Sequence, residues 1–213
     1  AEISGQVSAL SAWRSPGSTL KPFIYALALD QGLIHPLTVL KDSRQSFGGY
    51  TPENFDGRFA GPLTATEALN RSRNLPAIAL AARLDNPSLY GFLKASGASR
   101  LAAESHYGLA LVLGGAETTM EDLAQLYALL ANRGELQTLR TLESDPPAKG
   151  QRLISEEAAY LVLDMLRQNP RPDAAPAAAG DYALPVHWKT GTSYGFRDAW
   201  TAGVFGPYVL VVW

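Results

Sequence analysis

The sequence of 213 residues contains no cysteine. This absence excludes disulfide bonds and thiolate metal sites, but it is compatible with several cellular compartments. Only three histidines are present, His35, His106 and His187, and none lies in an H-E-x-x-H pattern, which argues against a zinc site of that type. The phosphate-binding patterns G-x-x-x-x-G-K-[ST] and G-x-G-x-x-G are also missing, so nothing in the sequence supports a nucleotide site.

Long apolar runs and an excess of one charge are absent as well. The formal net charge is −2 and no basic run occurs, so we expect no nucleic-acid partner. No apolar run is long enough to span a bilayer, and no signal peptide is visible. The last residues, "YVLVVW", form an apolar run that stops without turn residues. We therefore expect the chain to be a piece of a longer protein.

Helical patterns dominate most of the chain, and strand patterns dominate its end. Capping-box patterns predict helix starts at Thr64 with Glu67 and at Thr118 with Glu121, and "SEEAAYLVLDMLRQ" is a third helical segment. "LQTLRTL" has a strand-like pattern, and "KDSRQSFGGYTPENFDGRFAGP" is predicted to be a long, ordered surface loop. "VHWKTGTS", "DAWTAGVFG" and "YVLVVW" are predicted to be three final strands. A helical body followed by an antiparallel meander predicts an α+β fold.

The stretch "RSPGSTLKPFIYALALDQG" places Ser18 three residues before Lys21 at the start of a helical pattern. Pro22 is tolerated only in the first turn, so the helix must begin close to Ser18. One interpretation is that Ser18 is an ordinary helix N-cap. The other is that Ser18 is a nucleophile, because residues three apart share a helix face and a neutral lysine amine could take the hydroxyl proton. An isolated S-x-x-K pattern does not decide between them.

Two further polar patterns occur once each. Ser72-Arg73-Asn74 lies at a break between two helical segments. Its polar side chains could cap the helices, or they could be exposed to a cleft. Lys189-Thr190-Gly191-Thr192 lies on a predicted strand, and its glycine permits another backbone to approach closely. A peptide could then dock as an additional strand along that edge.

The three patterns S-x-x-K, S-x-N and K-T-G, in this order, resemble the penicillin-recognising serine acyltransferases, that is, penicillin-binding proteins and serine β-lactamases. The flanking segments "YTPENFDG", "LTATEALNRSRNLPA", "LGGAETTMEDLAQLYALLANRG" and "KTGTSYGFRDAW" are similar to the transpeptidase domain of bifunctional penicillin-binding proteins. "AWRSPGSTLKPFIYALALDQGLIHP" is most similar to the penicillin-binding protein 1C subgroup. The resemblance covers nearly the whole chain, so residues 1–213 are expected to be one transpeptidase domain.

The resemblance implies a catalytic role for four residues. Ser18 would be the acylated nucleophile and Lys21 its base. Ser72 would pass the proton to the leaving amine, and Lys189 would assist this relay and the electrostatics of the site. The reaction implied is D,D-transpeptidation of peptidoglycan through an acyl-enzyme, with covalent inhibition by β-lactams and no cofactor or metal.

The resemblance also implies a set of substrate-binding residues. Asn74 would hold the donor stem peptide, and Thr190, Gly191 and Thr192 would bind the terminal carboxylate of a D-Ala-D-Ala stem or a penicillin. The backbone amides of Ser18 and Thr192 would form the oxyanion hole. The expected partners are therefore peptidoglycan stem peptides and β-lactam antibiotics.

The family fold implied is a helical cluster packed on an antiparallel sheet, with two strands before the S-x-x-K helix and a helix after the last strand. Only 17 residues precede Ser18, so we expect the N-terminal strands and the C-terminal helix to be missing here. The full-length protein would be anchored in the bacterial inner membrane and face the periplasm, and membrane contact would come only from parts outside this sequence.

Two alternative functions remain open at this point. A serine β-lactamase would need a glutamate that holds a water, but Glu104, Glu117 and Glu121 do not begin an E-x-x-L-N-type motif. A non-catalytic β-lactam sensor or assembly module is the other alternative. The aromatic residues Tyr50, Phe55, Tyr194 and Phe196 either line a cleft or pack within loops.

Overall fold

The first helix lies at the centre of the molecule because almost every side chain on it is apolar or small. In a computed structural model, which describes residues 8–147, 149–170 and 184–213 without the side chain of Tyr194, α1 spans Lys21–Asp30. Its residues from Lys21 to Ala28 are all buried. A helix that is apolar all round is expected to be enclosed by other elements. A 3₁₀ turn, Gly17–Leu20, leads directly into this helix.

Six further α-helices surround α1 in the described part of the chain. They are α2 (Ala65–Asn70), α3 (Asn74–Ala81), α4 (Leu89–Ser96), α5 (Glu104–Tyr107), α6 (Met120–Ala131) and α7 (Glu156–Arg167). A second 3₁₀ segment spans Gly108–Leu113. The core between the helices includes the stacked pair Phe23–Phe92, and Tyr127 meets Phe23 edge-on at 5.6 Å between ring centroids.

The C-terminal sheet is an antiparallel meander of three strands, as the sequence predicts. Its strands are β5 (Val186–Thr192), β6 (Ala199–Phe205) and β7 (Tyr208–Val212). Lys189 pairs with Ala202, and Ala202 pairs with Val211. Lys189 and Ala202 are both buried, so the face that carries them lies against the helices. Alternate residues along each strand point to this same side. This arrangement confirms the α+β fold.

Two short hairpins are differences from the sequence prediction. Strands β1 (Val39–Asp42) and β2 (Gly61–Thr64) pair with each other, so the predicted surface loop is a hairpin with a shorter connection, residues 43–60. The strand predicted over "LQTLRTL" is wrong in its extent: β3 covers only Glu135–Gln137 and pairs with β4, Gly150–Arg152, which was not predicted. Three-residue strands carry too little periodicity to be recognised.

Helix boundaries follow the capping chemistry with two corrections. The Thr64–Glu67 capping box is present at the start of α2. Thr119, rather than the predicted Thr118, caps α6, and it accepts a hydrogen bond from Asp122. The side chain of Thr118 is buried and donates to the carbonyl of Ala98 instead.

The helix that follows the break at Ser72 contains a proline in its first turn. Pro76 biases the preceding residue, Leu75, away from helical backbone, yet α3 begins at Asn74. Proline in the first helical turn removes no intrahelical hydrogen bond, so it does not end the helix there.

Candidate active site

Ser18 lies inside the 3₁₀ turn, not in front of a helix. The residue preceding the turn is Pro16, and no side-chain hydrogen bond caps either this turn or α1. The N-cap interpretation of Ser18 is therefore wrong. The side chain of Ser18 is half-buried, lines a large cavity, and has no hydrogen-bond partner among the described residues. Its hydroxyl is available to a ligand.

Lys21 is completely buried in the first turn of α1. Its Nζ donates to the backbone oxygen of Ser72 at 2.7 Å and to Oδ1 of Asn74 at 2.6 Å. Burial, with the positive charges of Lys189 and Arg73 in addition, holds the pKa of Lys21 well below its ordinary value. A neutral amine has two N–H bonds and one lone pair. Because two acceptors occupy the N–H bonds, the lone pair is left to accept a proton.

Ser72 connects the two lysines. Its backbone oxygen binds Lys21, and its Oγ accepts a hydrogen bond of 2.8 Å from Nζ of Lys189. The residue has φ = 56°, in the left-handed region, which costs about 1–2 kcal/mol for an L-residue. The surrounding contacts must offset this cost, and the conformation aims both oxygens of Ser72 at the two amines.

Lys189 lies on the helix-facing side of β5 and is only 1% exposed. Besides Ser72, its Nζ donates to the backbone oxygen of Thr190 at 2.9 Å. Burial lowers the pKa of Lys189 to about 8. Lys189 therefore keeps most of its positive charge at neutral pH. The surroundings of Lys21, by contrast, favour the neutral amine.

Two glycines allow the 3₁₀ turn and β5 to touch backbone to backbone. A Cβ on Gly17, whose φ is +53°, would lie 2.6 Å from the backbone oxygen of Thr192. A Cβ on Gly191 would overlap the carbonyl oxygen of Pro16 and lie 2.7 Å from Cγ2 of Thr19. Gly191 therefore contacts the turn rather than the cavity. This approach places the backbone of Thr192 against the turn that carries Ser18.

Asn74 is oriented by hydrogen bonds on both sides of its amide. Oδ1 accepts from Lys21, and Nδ2 donates to the backbone oxygen of Glu53 at 2.8 Å. An amide nitrogen carries two hydrogens. The second hydrogen has no acceptor in the described part of the chain, and it is available to a ligand in the cleft.

The cavity has a volume of about 820 Å³ and brings together residues from all three sequence motifs. The motif residues that line it are Ser18, Ser72, Arg73, Asn74, Thr190 and Thr192. The two lysines lie behind this wall. Of the described residues, the three glutamates considered for a β-lactamase are not in the lining, which instead includes Glu53 and Asp56.

Aromatic side chains stand at the mouth of the cavity. Phe55, from the loop 43–60, and Phe196, from the turn after β5, meet edge-on with ring centroids 5.1 Å apart. Both rings are more than two-thirds exposed, and Tyr50 also lines the cavity. Three of the four aromatics singled out from the sequence thus border the cleft. The side chain of the fourth, Tyr194, lies outside the described part of the structure.

Sequence reasoning missed a buried polar network behind the S-x-N motif. Asp42 is 0% exposed and accepts hydrogen bonds from Asn54, Ala60 and Arg73. The sequence pattern of this region predicts a surface loop instead. The aspartate and asparagine that accompany aromatic residues in this segment could have indicated a buried network. Their hydrogen-bond partners, however, are distant in sequence.

Within the described ranges, no group of three or more His, Asp or Glu side chains is arranged to hold a metal ion. None of the helices described there is both long and apolar enough to cross a bilayer.

Comparison with known proteins agrees with the motif pattern. Residues 5–205 match the family model of the penicillin binding protein transpeptidase domain. Penicillin-binding protein 1C of Escherichia coli K12 is 41% identical over 218 residues, covering 98% of this chain and 27% of that protein. Penicillin-binding protein 1F of Bacillus subtilis 168 is 32% identical, covering 96% of this chain and 30% of that protein. The chain thus spans less than a third of these relatives.

Solved structures show the same fold at lower sequence identity. The apo TP domain of Burkholderia pseudomallei penicillin-binding protein 3 superposes with a TM-score of 0.77 at 22% identity, over 95% of this chain and 71% of that one. A peptidoglycan glycosyltransferase from Burkholderia ambifaria superposes with a TM-score of 0.79 at 21% identity, over 98% of this chain and 74% of that one.

Proposed function

Because this chain belongs to the family of penicillin-binding protein transpeptidase domains, we propose that it is a serine D,D-transpeptidase acting on peptidoglycan stem peptides that end in D-Ala-D-Ala. One observation supports this assignment above the others. The buried amine of Lys21 has both N–H bonds of its neutral form occupied, by Ser72 and Asn74, three residues after an unengaged serine hydroxyl in the cleft.

The acylation step follows from this arrangement. Lys21 takes the proton of Ser18, and Oγ attacks the carbonyl carbon between the last two residues of the stem peptide, or of a β-lactam ring. The negative charge that develops on the carbonyl oxygen is stabilised by the backbone N–H groups of Ser18 and Thr192.

Breaking the carbon–nitrogen bond requires a proton at the leaving nitrogen. Ser72 is the proposed donor, because Lys189 already hydrogen-bonds its Oγ and Lys21 binds the same residue. The hydroxyl gives its proton to the amine and is reprotonated from the lysine pair. An acceptor amine then attacks the acyl-serine, Lys21 takes a proton from the attacking nitrogen and returns it to Oγ of Ser18, and the ester bond breaks as the new peptide bond forms. No cofactor takes part in the proposed reaction.

The substrate carboxylate is assigned to β5. Thr190 and Thr192 line the cavity, and the ammonium of Lys189 donates to the backbone oxygen of Thr190. Hydroxyl donors in front of a buried positive charge suit a carboxylate. The second amide hydrogen of Asn74 faces the same cavity and would bind a carbonyl of the stem.

The setting of the site is part of the proposal. Stem peptides lie outside the bacterial inner membrane, so the domain is placed at the periplasmic face. Residues 1–213 are taken as one transpeptidase domain, and any membrane contact is assigned to parts of the protein beyond these residues.

Mass spectrometry after incubation with a penicillin tests this function. We expect an adduct with the full mass of the drug on Ser18, because ring opening loses no atoms. Ser18→Ala should abolish the adduct. Ser15→Ala is the matched control, since the Ser15 hydroxyl donates to the carbonyl of Gly114 and does not line the cavity. A native chain without an adduct, or an adduct that persists in Ser18→Ala, would overturn the assignment.

Retention of the label separates the competing activities. Loss of a fluorescent penicillin within minutes would identify a β-lactamase, whereas retention over hours is expected for the proposed enzyme. Exchange of the terminal D-Ala for an amine on a D-Ala-D-Ala peptide then distinguishes a transpeptidase from a β-lactam sensor.

A further inference from the structure

Asp42, at the end of β1, is a buried carboxylate whose two oxygens have separate partners. Oδ1 accepts from Nδ2 of Asn54 at 2.7 Å. Oδ2 accepts from the backbone N–H of Ala60 at 2.8 Å and from Nε of Arg73 at 2.7 Å. Nothing in the proposed reaction uses this carboxylate directly, and it does not line the cavity.

Asn54 transmits the orientation of Asp42 to the S-x-N motif. Because a carboxylate only accepts, the Nδ2 side of the Asn54 amide must face Asp42. Oδ1 of Asn54 then faces the other way and accepts the backbone N–H of Asn74 at 2.7 Å. This bond satisfies one of the N–H groups that the start of α3 leaves without a helical partner. Asn74 in turn presents Oδ1 to Lys21.

Arg73 makes the second connection. Its side chain, 11% exposed, binds Asp42 through Nε, Asp56 through an N–H at 3.0 Å, and the backbone oxygen of Arg58. Arg73 follows Ser72, whose left-handed backbone aims two oxygens at the lysines. Ser72 is therefore restrained in two ways. Its own backbone N–H donates to the carbonyl oxygen of Leu69, and the side chain of the next residue, Arg73, is held by Asp42.

We propose that Asp42 is a positioning residue, which acts through Asn54 and Arg73 to hold Asn74 and Ser72 in the orientation that directs Lys21 toward Ser18. This inference rests on the proposed acylation of Ser18. Asp42 touches neither the substrate nor the reacting atoms. It determines which way the amide of Asn74 and the oxygens of Ser72 point.

Asp42→Asn tests the proposal with minimal change in volume. If its oxygen stays on Ala60 and Arg73, its Nδ2 meets the Nδ2 of Asn54, and two donors face each other. We expect the first-order acylation rate at saturating fluorescent penicillin to fall by about 100-fold, because small misplacements of catalytic groups cost this much. The dissociation constant of the initial penicillin complex should change little.

Exchanging the side chains of Asp42 and Asn54 should restore part of the acylation rate. This recovery is not expected if Asp42 only fills space or only stabilises the fold. Asn54→Asp alone places two carboxylates against each other and should also slow acylation. In the double variant Asp42→Asn/Asn54→Asp, the new Nδ2 donates to the new carboxylate, whose other oxygen still accepts from Asn74. Acylation should recover by about tenfold or more over either single variant. Recovery stays incomplete because Arg58 loses the donor that Asn54 supplies to its carbonyl.

A pH profile provides a second readout. The charges near Lys21 come from β5, the S-x-N segment and β1: Lys189 and Arg73 lower its pKa, and Asp42 raises it. Without the Asp42 charge, the acidic limb of the acylation profile should move to lower pH. A plateau rate equal to that of the native chain, with only the limb displaced, would show that Asp42 acts through its charge alone and would contradict the positioning role.

Two control variants separate positioning from stability. Asp145→Asn removes a carboxylate that accepts two backbone N–H groups in a loop outside the cleft, and should leave acylation unchanged. Val162→Ala creates a small cavity in buried α7 and lowers the melting temperature without touching the network.

The outcomes distinguish this inference from the proposed function. The positioning role is wrong if Asp42→Asn acylates as fast as the native chain. It is also wrong if Asp42→Asn and Val162→Ala acylate at the same rate when each is measured at the same interval below its own melting temperature. In both cases Ser18 remains the proposed nucleophile. If the native chain forms no adduct on Ser18, the proposed function itself fails.

Discussion

Lys21 and Lys189 approach the same residue, Ser72, from two sides, yet their surroundings favour different protonation states. The pKa of Lys21 is lowered by burial and by two neighbouring cations, whereas that of Lys189 is lowered to about 8 by burial alone. A base must be neutral, and an electrostatic or proton-donating group must be charged. The lowered pKa of Lys21 favours the neutral form that the proposed base needs, and a pKa of about 8 keeps Lys189 mostly charged near neutral pH.

The acylation rate should therefore depend on pH in a bell-shaped manner. Protonation of Lys21 abolishes the base on the acidic side, and loss of the Lys189 charge reduces the rate above about pH 8. In Lys189→Arg the basic limb should disappear, because a guanidinium stays charged throughout this range. Stopped-flow acylation between pH 5 and 10 measures the profile. Lys94→Arg, at an exposed position on α4, is the matched control, and an unchanged basic limb in Lys189→Arg would show that another group titrates there.

At the scale of elements, the cleft depends on direct contact between the 3₁₀ turn and β5. Gly191 fits under the carbonyl of Pro16, and Gly17 fits beside Thr192. A side chain at either position would meet backbone atoms, which cannot move aside as a flexible side chain can. The contact fixes Ser18 relative to Thr190 and Thr192, so it links the proposed nucleophile to the proposed carboxylate site.

Gly191→Ala should separate these two elements. We expect a loss of about 1–3 kcal/mol in the free energy of unfolding from overpacking, and a fall in acylation of about 100-fold from misplaced groups. Gly91→Ala, in α4, is the control, because its Cβ would make ordinary contacts at 3.6 Å. Urea unfolding and penicillin acylation measure the two effects. Native-like acylation in Gly191→Ala would contradict the importance of this contact.

At the scale of the whole molecule, the site places two lysine side chains in the interior. Burial of a lysine favours its neutral form, so the folded state releases protons that the unfolded chain retains. Buried tyrosines act in the opposite sense at higher pH: burial raises the pKa of Tyr25 and Tyr127 above the ordinary value. The free energy of unfolding must consequently change with pH in the alkaline range.

The free energy of unfolding should rise between pH 8 and about 9.5. An unfolded lysine keeps its proton up to about pH 10.4, whereas Lys189 loses its own near pH 8, and stability increases with pH wherever the unfolded state binds more protons. Above about pH 10 the tyrosines reverse the trend, because the unfolded state then loses protons that the folded state retains.

Lys189→Met isolates the lysine contribution. In urea unfolding, the increase between pH 8 and 9.5 should be smaller by about 1–2 kcal/mol in this variant, since one pKa unit corresponds to about 1.4 kcal/mol. Lys94→Met, which removes an exposed lysine, should keep the native slope. Equal slopes in the native chain and Lys189→Met would mean that Lys189 is charged in the folded state across this range.

Local patterns were sufficient for most of the fold. The capping box at Thr64, the helical segment of α7 and the three final strands follow from interactions within a few residues, so the sequence alone predicted them. The hairpin of β1 and β2 was missed because its strands are short and separated by residues 43–60. The order of the three motifs also identified the family, which the match over residues 5–205 confirmed.

The tertiary structure decided how those motifs meet. Ser72 is 51 residues from Lys21 and 117 from Lys189, and only folding brings both amines to its oxygens. The lowered pKa of each lysine exists only when the chain is folded, because it arises from burial and from charges on other elements. Asp42 and Asn54 look like loop residues in the sequence, and their hydrogen bonds to the S-x-N segment arise only in three dimensions. Residue type is a local property, whereas desolvation and hydrogen-bond partners are properties of the packed molecule.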